Sequence, residues 1–193
     1  MAKPAHTYSN YKEGYEKLLS TLQVRPQWKP IVDSSAKKIM ANKSRYEEIQ
    51  SATGVPWRVV GVIHWLECGG SFNGHLHNGD SLKKRTWQVP RGMPKAKGTG
   101  PNGSYTWEES AIDAVQHDGL TKVKDWSDPS VAYHLEKYNG WGYRQPGINS
   151  PYLWSGSSHY TRGKYVADGK YDSGAISQQT GAMLLYLRLG QLE

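Results

Sequence analysis

Residues 56–70 read PWRVVGVIHWLECGG, and the fold turns on how they are placed. At about 100° per residue, Val59, Val60, Val62, Ile63 and Leu66 line one stripe of a helix running from Pro56 to Cys68, ahead of the Gly69–Gly70 pair. Glu67 falls inside that stripe, between Ile63 and Val60, which puts a carboxyl on the core face. It also lies in the last turn, where the helix dipole disfavours negative charge. Burial and the dipole both favour the protonated form, and a carboxyl that keeps its proton near neutral pH suits general-acid work. The plain alternative is a buried Glu paired with His64, one turn back on the same face, or with an arginine from elsewhere.

The segments on either side supply a helical frame. Residues 9–23 and 28–42 space apolar positions between charges as amphipathic helices, and Lys43–Ala52 is a third, ended by Gly54, Val55 and Pro56. Pro56 takes the favoured first position of the next helix. Thr106 with Glu109 three positions on forms a capping box that opens a helix to about His117. Asp128–Pro129 opens another to about Tyr138, ended by Asn139 as a left-handed terminator and Gly140. Asp172 caps a final helix to about Leu189, with Ile176, Met183, Leu184 and Leu187 on its apolar face. Two stretches, 69–104 and 140–171, are loop-like, and long loops in compact domains usually carry function. The expected class is mainly α, with room for a small hairpin. Residues 1–42 read as a helical extension and 43–193 as the main compact unit.

Bulk composition narrows the partners. The chain of 193 residues has a mean hydropathy of −0.73 and 21% charged residues, and no apolar run approaches a membrane span. The N-terminus lacks an apolar signal core, so the expectation is synthesis in the cytoplasm without a Sec-type signal. A single Cys, Cys68, rules out an intrachain disulfide. Net charge +7 favours polyanionic partners such as nucleic acid, acidic membrane or cell wall. The cations are dispersed, with Lys83, Lys84 and Arg85 the only run of three, which speaks against nucleic acid. Eight Trp and 13 Tyr against one Phe point instead to amphipathic rings that stack on sugars or bases.

Three motifs carry a resemblance: HLHNGD at 75–80, EKYNGWGYR at 136–144 and SPYLWSGSSHYTRGKYVADG at 150–169, with QVPRG following Trp87. With an acidic residue ending a helix, this pattern resembles the lysozyme-like superfamily of goose-type lysozymes and lytic transglycosylases. More closely, it is similar to a group of phage and prophage endolysins. The resemblance covers about residues 43–189. It implies a lysozyme-like fold and a muramidase without cofactor or metal. Glu67 would be the general acid, Gln88 a sugar contact, and Tyr138 and Asn139 groups near the reacting sugar. Trp141, Tyr143, Arg144, Trp154 and Tyr160, with His64, complete the substrate-binding set. One departure is Cys68 after the acid, where transglycosylases usually carry serine.

Glycoside cleavage normally uses two carboxyls, about 5 Å apart in retaining enzymes and roughly 6.5–9.5 Å apart in inverting ones. Asp80 is the best second candidate, equally explained as a turn former beside Asn78 and Gly79. Without it, the substrate's own 6-hydroxyl can close an anhydro ring. His75, His77 and Asp80 have metal-ligand chemistry but no complete zinc spacing. Gly98, Gly100 and Gly103 match GxGxxG without a preceding strand, so a dinucleotide site is not expected. Cys68 near these histidines raises a thiol peptidase as an alternative. The expectation is therefore a monomeric endolysin acting on peptidoglycan glycan strands after membrane permeabilisation, drawn by its basic surface to anionic wall or outer membrane. The alternatives are a zinc or thiol peptidase of the wall, or a non-catalytic glycan-binding module.

Overall fold

The computed structural model describes residues 6–167 and 169–193. Its helices are α1 (Tyr8–Ser20), α2 (Lys29–Met40), α3 (Lys43–Thr53), α4 (Trp57–Cys68), α5 (Trp107–His117), α6 (Asp128–Asn139), α7 (Pro151–Trp154) and α8 (Ala182–Leu192). An antiparallel hairpin, β1 (Lys164–Ala167) and β2 (Lys170–Asp172), pairs Tyr165 with Tyr171 and Lys164 with Asp172. The mainly α class with a small hairpin is thus as expected. No helix among the described residues is long and apolar enough to cross a membrane.

The chain packs as two compact units, Met1–Asp33 with Asp125–Leu187 and Ser34–Lys124 with Arg188–Glu193. In the first, α1 lies along α6, and α6 packs on α7. The segment after α1 is welded to the segment after α7. Val24 bridges Ser157, the Arg25 N–H donates to the Gly156 carbonyl at 2.9 Å, and the Ser158 N–H donates to the Gln23 carbonyl at 2.8 Å. Gly156 sits at φ +87° with the Trp28 ring 2.8 Å from where a Cβ would stand, so only glycine fits this crossing. Residues 9–28 are therefore part of this unit's framework.

Two helix boundaries differ from the sequence reading. Asp172 ends β2, where its Oδ1 accepts the Gly174 and Ala175 N–H groups, and α8 begins only at Ala182. Ile176 is consequently 54% exposed, while Met183 and Leu184 stay in the core. The cause is local: an aspartate that closes a turn on its own backbone has spent the oxygen a helix cap would need. Asn139 is the last residue of α6 and keeps ordinary backbone angles; the positive φ, +94°, belongs to Gly140.

In the second unit α3 packs against both α4 and α5. The stripe of α4 is buried as its spacing requires: Val59, Val60, Val62 and Ile63 are fully enclosed and Leu66 nearly so. Each such side chain contributes roughly 1.5–3 kcal/mol relative to exposure. Pro56 stands as the N-cap, one position before the helix. Gly61 has Ile39 of α2 and Tyr46 of α3 at 2.7 and 3.2 Å from a would-be Cβ, a close approach that any side chain would disturb. The Thr106–Glu109 capping box of α5 is formed in both directions.

His64 is buried completely on α4. Its Nε2–H donates to the Ser71 carbonyl at 3.0 Å, leaving Nδ1 to accept from the Tyr46 hydroxyl at 2.9 Å. Burial pushes its pKa from 6.5 down to about 4, so the ring is neutral at neutral pH. The unfolded chain takes up that proton near pH 6.5, so stability from this site is present above pH 6.5 and is lost as pH falls toward 4. The expected loss is on the order of 3 kcal/mol. His134, lowered to about 4 by burial and by Lys137, acts in the same direction. Denaturant midpoints at pH 7 and pH 4.5 measure the effect; equal midpoints would show the burial to be energetically idle.

Candidate active site

Two successive left-handed glycines end α4. The Gly69 N–H (φ +60°) reaches the Trp65 carbonyl at 3.0 Å, and the Gly70 N–H (φ +78°) reaches that of His64 at 3.4 Å. Glu67 is therefore left in the final turn, half-buried at the edge of the apolar stripe rather than inside it. The HLHNGD segment is fastened to this end. The Cys68 thiol donates to the His75 carbonyl at 3.2 Å, and the same carbonyl accepts the Gly79 N–H at 2.8 Å. Gly79 has φ +79°, and the Glu67 carbonyl lies 2.7 Å from where its Cβ would be. Only a glycine can press the loop this closely against the backbone of Glu67.

The loop's histidines are committed to structure. His75 is fully buried; its Nε2–H donates to the Lys84 carbonyl and its Nδ1 accepts from the Ser110 hydroxyl, both at 2.8 Å. His77 meets Asp113 through Nε2 at 2.9 Å, and burial lowers its pKa. Among the described residues no three His, Cys, Asp or Glu side chains gather in a metal-binding group. Cys68 is no nucleophile at neutral pH: burial, then the charge of Glu67, pushes its thiol up to about 12.

Asp80 is the centre of a hydrogen-bonded knot. Its Oδ2 accepts the Trp87 N–H at 2.8 Å, the Gln88 N–H at 2.9 Å and the Asn78 amide at 3.2 Å, while Oδ1 accepts the Gln88 side-chain amide at 2.8 Å. The residue is 5% exposed. Burial alone would raise its pKa, but these bonds together outweigh it and hold the carboxyl below its ordinary range. It is ionised at neutral pH. Four donors hold its carboxylate, three on Oδ2 and one on Oδ1, so its first role is to anchor this loop. Gln88 shares this fate in part: its amide nitrogen holds Asp80, and the residue itself is exposed.

The remaining candidates lie in the first unit, and the structure divides them. Tyr138 is half-buried in the last turn of α6 and Asn139 is exposed. Asn139 and Tyr143 line one open pocket of about 480 Å³ with Gly140, Gly142, Tyr165, Ala167 and Gly169. The Tyr143 hydroxyl accepts the Tyr165 N–H at 3.2 Å, which fixes the ring in that wall. Trp141 is covered by the chain's own rings, His6 at 4.7 Å and Tyr11 at 5.4 Å between centroids, so it offers a sugar less than the sequence suggested. Trp154 and Tyr160 are core residues at 1% and 4% exposure; Tyr160 donates to the Gly163 carbonyl and accepts the Ser177 N–H. Neither can stack on a glycan, and His64, enclosed as described, cannot touch one.

Arg144 also leaves the binding set. Its Nε and Nη2 grip the two carboxylate oxygens of Glu136 at 2.8 and 2.6 Å, and Nη2 donates to the Tyr15 hydroxyl at 2.9 Å. Tyr15 in turn donates to Glu136 at 2.6 Å, and Glu136 is 2% exposed. This triad ties α1, α6 and the following turn, and the sequence reading missed it. The only local signal is a Glu and an Arg eight positions apart within one motif. A second feature missed is a groove of about 750 Å³ in the second unit, whose lining includes Arg45, Phe72, Lys83, Trp107 and Glu108. Arg45 stacks 3.7 Å from the centroid of the Phe72 ring and pairs with Glu108. In comparisons with known proteins the chain matches no family model, no curated protein and no solved structure.

Proposed function

We propose that the chain is a peptidoglycan muramidase of the lysozyme-like, endolysin kind, cleaving the β-1,4 bond between N-acetylmuramic acid and N-acetylglucosamine with Glu67 as general acid. The observation that carries this reading is the partly exposed Glu67 in the closing turn of a largely buried helix, with the HLHNGD loop fastened against it. A carboxyl held on rigid elements at a loop junction is placed for proton transfer, and the sequence around it resembles that of endolysins.

The commitment of Asp80 to four donors within its own loop favours one-carboxyl chemistry. Glu67 gives its proton to the glycosidic oxygen as the bond to C1 of the muramic residue breaks. The resulting carboxylate then takes the proton of the muramic 6-hydroxyl as that oxygen bonds to C1. The product is a 1,6-anhydro end, no water is consumed, and the acid is restored. The pocket at Asn139 and Tyr143 is the candidate glycan contact in the first unit. Six-sevenths of the net positive charge lies between residues 81 and 107, which suits an anionic wall. Such a protein works on the wall after leaving the host cytoplasm through a permeabilised membrane.

Mass spectrometry of digested peptidoglycan tests the proposal. Anhydro-muramic ends are expected. Reducing muramic ends would keep the muramidase and replace ring closure by hydrolysis. Reducing glucosamine ends or cut stem peptides would overturn it, and an unaltered digest would leave a binding module in its place.

A further inference from the structure

Between Asp80 and Glu108 the chain has no acidic residue and six basic ones, Lys83, Lys84, Arg85, Arg91, Lys95 and Lys97, all exposed. At the tip of this loop stand the two most exposed large apolar side chains among the described residues, Trp87 at 70% and Val89 at 88%. Gln88 between them has its amide nitrogen on Asp80, while Trp87 and Val89 are left to solvent. The tip is closed on itself. The Thr86 N–H donates to the Met93 carbonyl at 2.8 Å, the Gly92 N–H to the Thr86 carbonyl at 2.7 Å, and the Thr86 hydroxyl to the Pro90 carbonyl.

We propose that the Trp87–Val89 tip is a membrane-docking element that inserts into the interface of a bilayer rich in acidic phospholipid, with the surrounding Lys and Arg residues on the headgroups. Three observations favour lipid over other polyanions. First, a valine has no face on which a sugar or base can stack, yet it is the most exposed apolar group here, and hydrocarbon is the environment that rewards it. Second, tryptophan flanked by cations is the composition that settles at a membrane–water boundary. Third, several of the tip's backbone groups are already paired within the loop, which lowers the cost of entering the interface. The N–H groups of Trp87 and Gln88 are taken by Asp80, the Val89 carbonyl accepts the Asn78 amide at 3.3 Å, and Pro90 has no N–H to satisfy. The tip needs no ordering on docking, so little entropy opposes it. Each cation near an anionic surface adds about a five-fold gain in partitioning.

The test is sedimentation of the full chain with sucrose-loaded vesicles of phosphatidylcholine, with and without phosphatidylglycerol, at low and high salt. Binding to the acidic vesicles should exceed that to the neutral ones by about ten-fold or more and weaken with salt. Trp87→Ser with Val89→Ser should lower it by about ten-fold or more at an unchanged melting temperature, because neither side chain holds the loop. Trp87→Phe, which keeps an apolar ring, should retain most of it. Equal sedimentation with both vesicle types, or unchanged binding by the double variant, would overturn the proposal. So would the same loss by the double variant on a single-stranded oligonucleotide, which would make the tip a stacking site for nucleic acid.

Discussion

Replacing Glu67 by glutamine is expected to slow the clearing of permeabilised Gram-negative cells by about 10²- to 10⁴-fold, the range a single general acid supplies. Glutamine has nearly the shape of glutamate and can donate hydrogen bonds, but it has no proton to give a departing oxygen. Because Glu67 lies at the rim of the stripe, beyond the fully enclosed Val59–Ile63 segment, the exchange should leave the melting temperature and helix content as they are. Asp80→Asn separates the two carboxyls. Asparagine cannot accept the Gln88 amide and both backbone N–H groups equally well, so its effect should appear as loosening of the loop rather than as loss of an acid. Full clearing by Glu67→Gln at wild-type rate would end the muramidase reading.

Arg144→Met should lower the melting temperature on the order of 10 °C. Breaking a buried ion pair by removing one partner costs about 3–5 kcal/mol, and a chain of this size loses roughly 2–4 °C per kcal/mol. The lower end applies, since the Arg144 side chain is 35% exposed and part of the pairing is screened. What remains is costly all the same: Glu136 is 3% exposed at its side chain and keeps only the Tyr15 hydroxyl from the triad. Arg144 also raises nothing in the active-site chemistry proposed above. A variant that loses lysis at an unchanged melting temperature would return Arg144 to the glycan-binding role that its motif implied.

How far the sequence could be read depended on whether a residue's partners lay nearby in the chain. Periodicity placed the stripe of α4, and the Thr106–Glu109 pair placed the start of α5, because each signal spans one or two turns. The same logic failed at Asp172, where capping a helix and closing a turn demand the same side-chain oxygen. Aromatic rings were the main source of error. Trp154 and Tyr160 have the amphipathic shape of a sugar platform, but both are buried in a core whose neighbouring chain, hydrogen-bonded at Gly156, Ser158 and the Tyr160 carbonyl, is residues 23–25, far away in sequence. Asp80 was legible as a turn residue. That it anchors the loop depends on Trp87 and Gln88 folding back over it, which no local pattern announces.

The knot at Asp80 separates what holds the loop from what the loop presents. Asp80, Asn78, Thr86 and the Gln88 amide fix its path, whereas the side chains of Trp87, Val89 and Arg91 take no part in the hydrogen bonds that close it. Changes at those three positions therefore carry almost no folding penalty. The tip is a place where this protein can acquire a different target by point substitution while the scaffold beneath it stays the same, much as a tool handle accepts interchangeable heads.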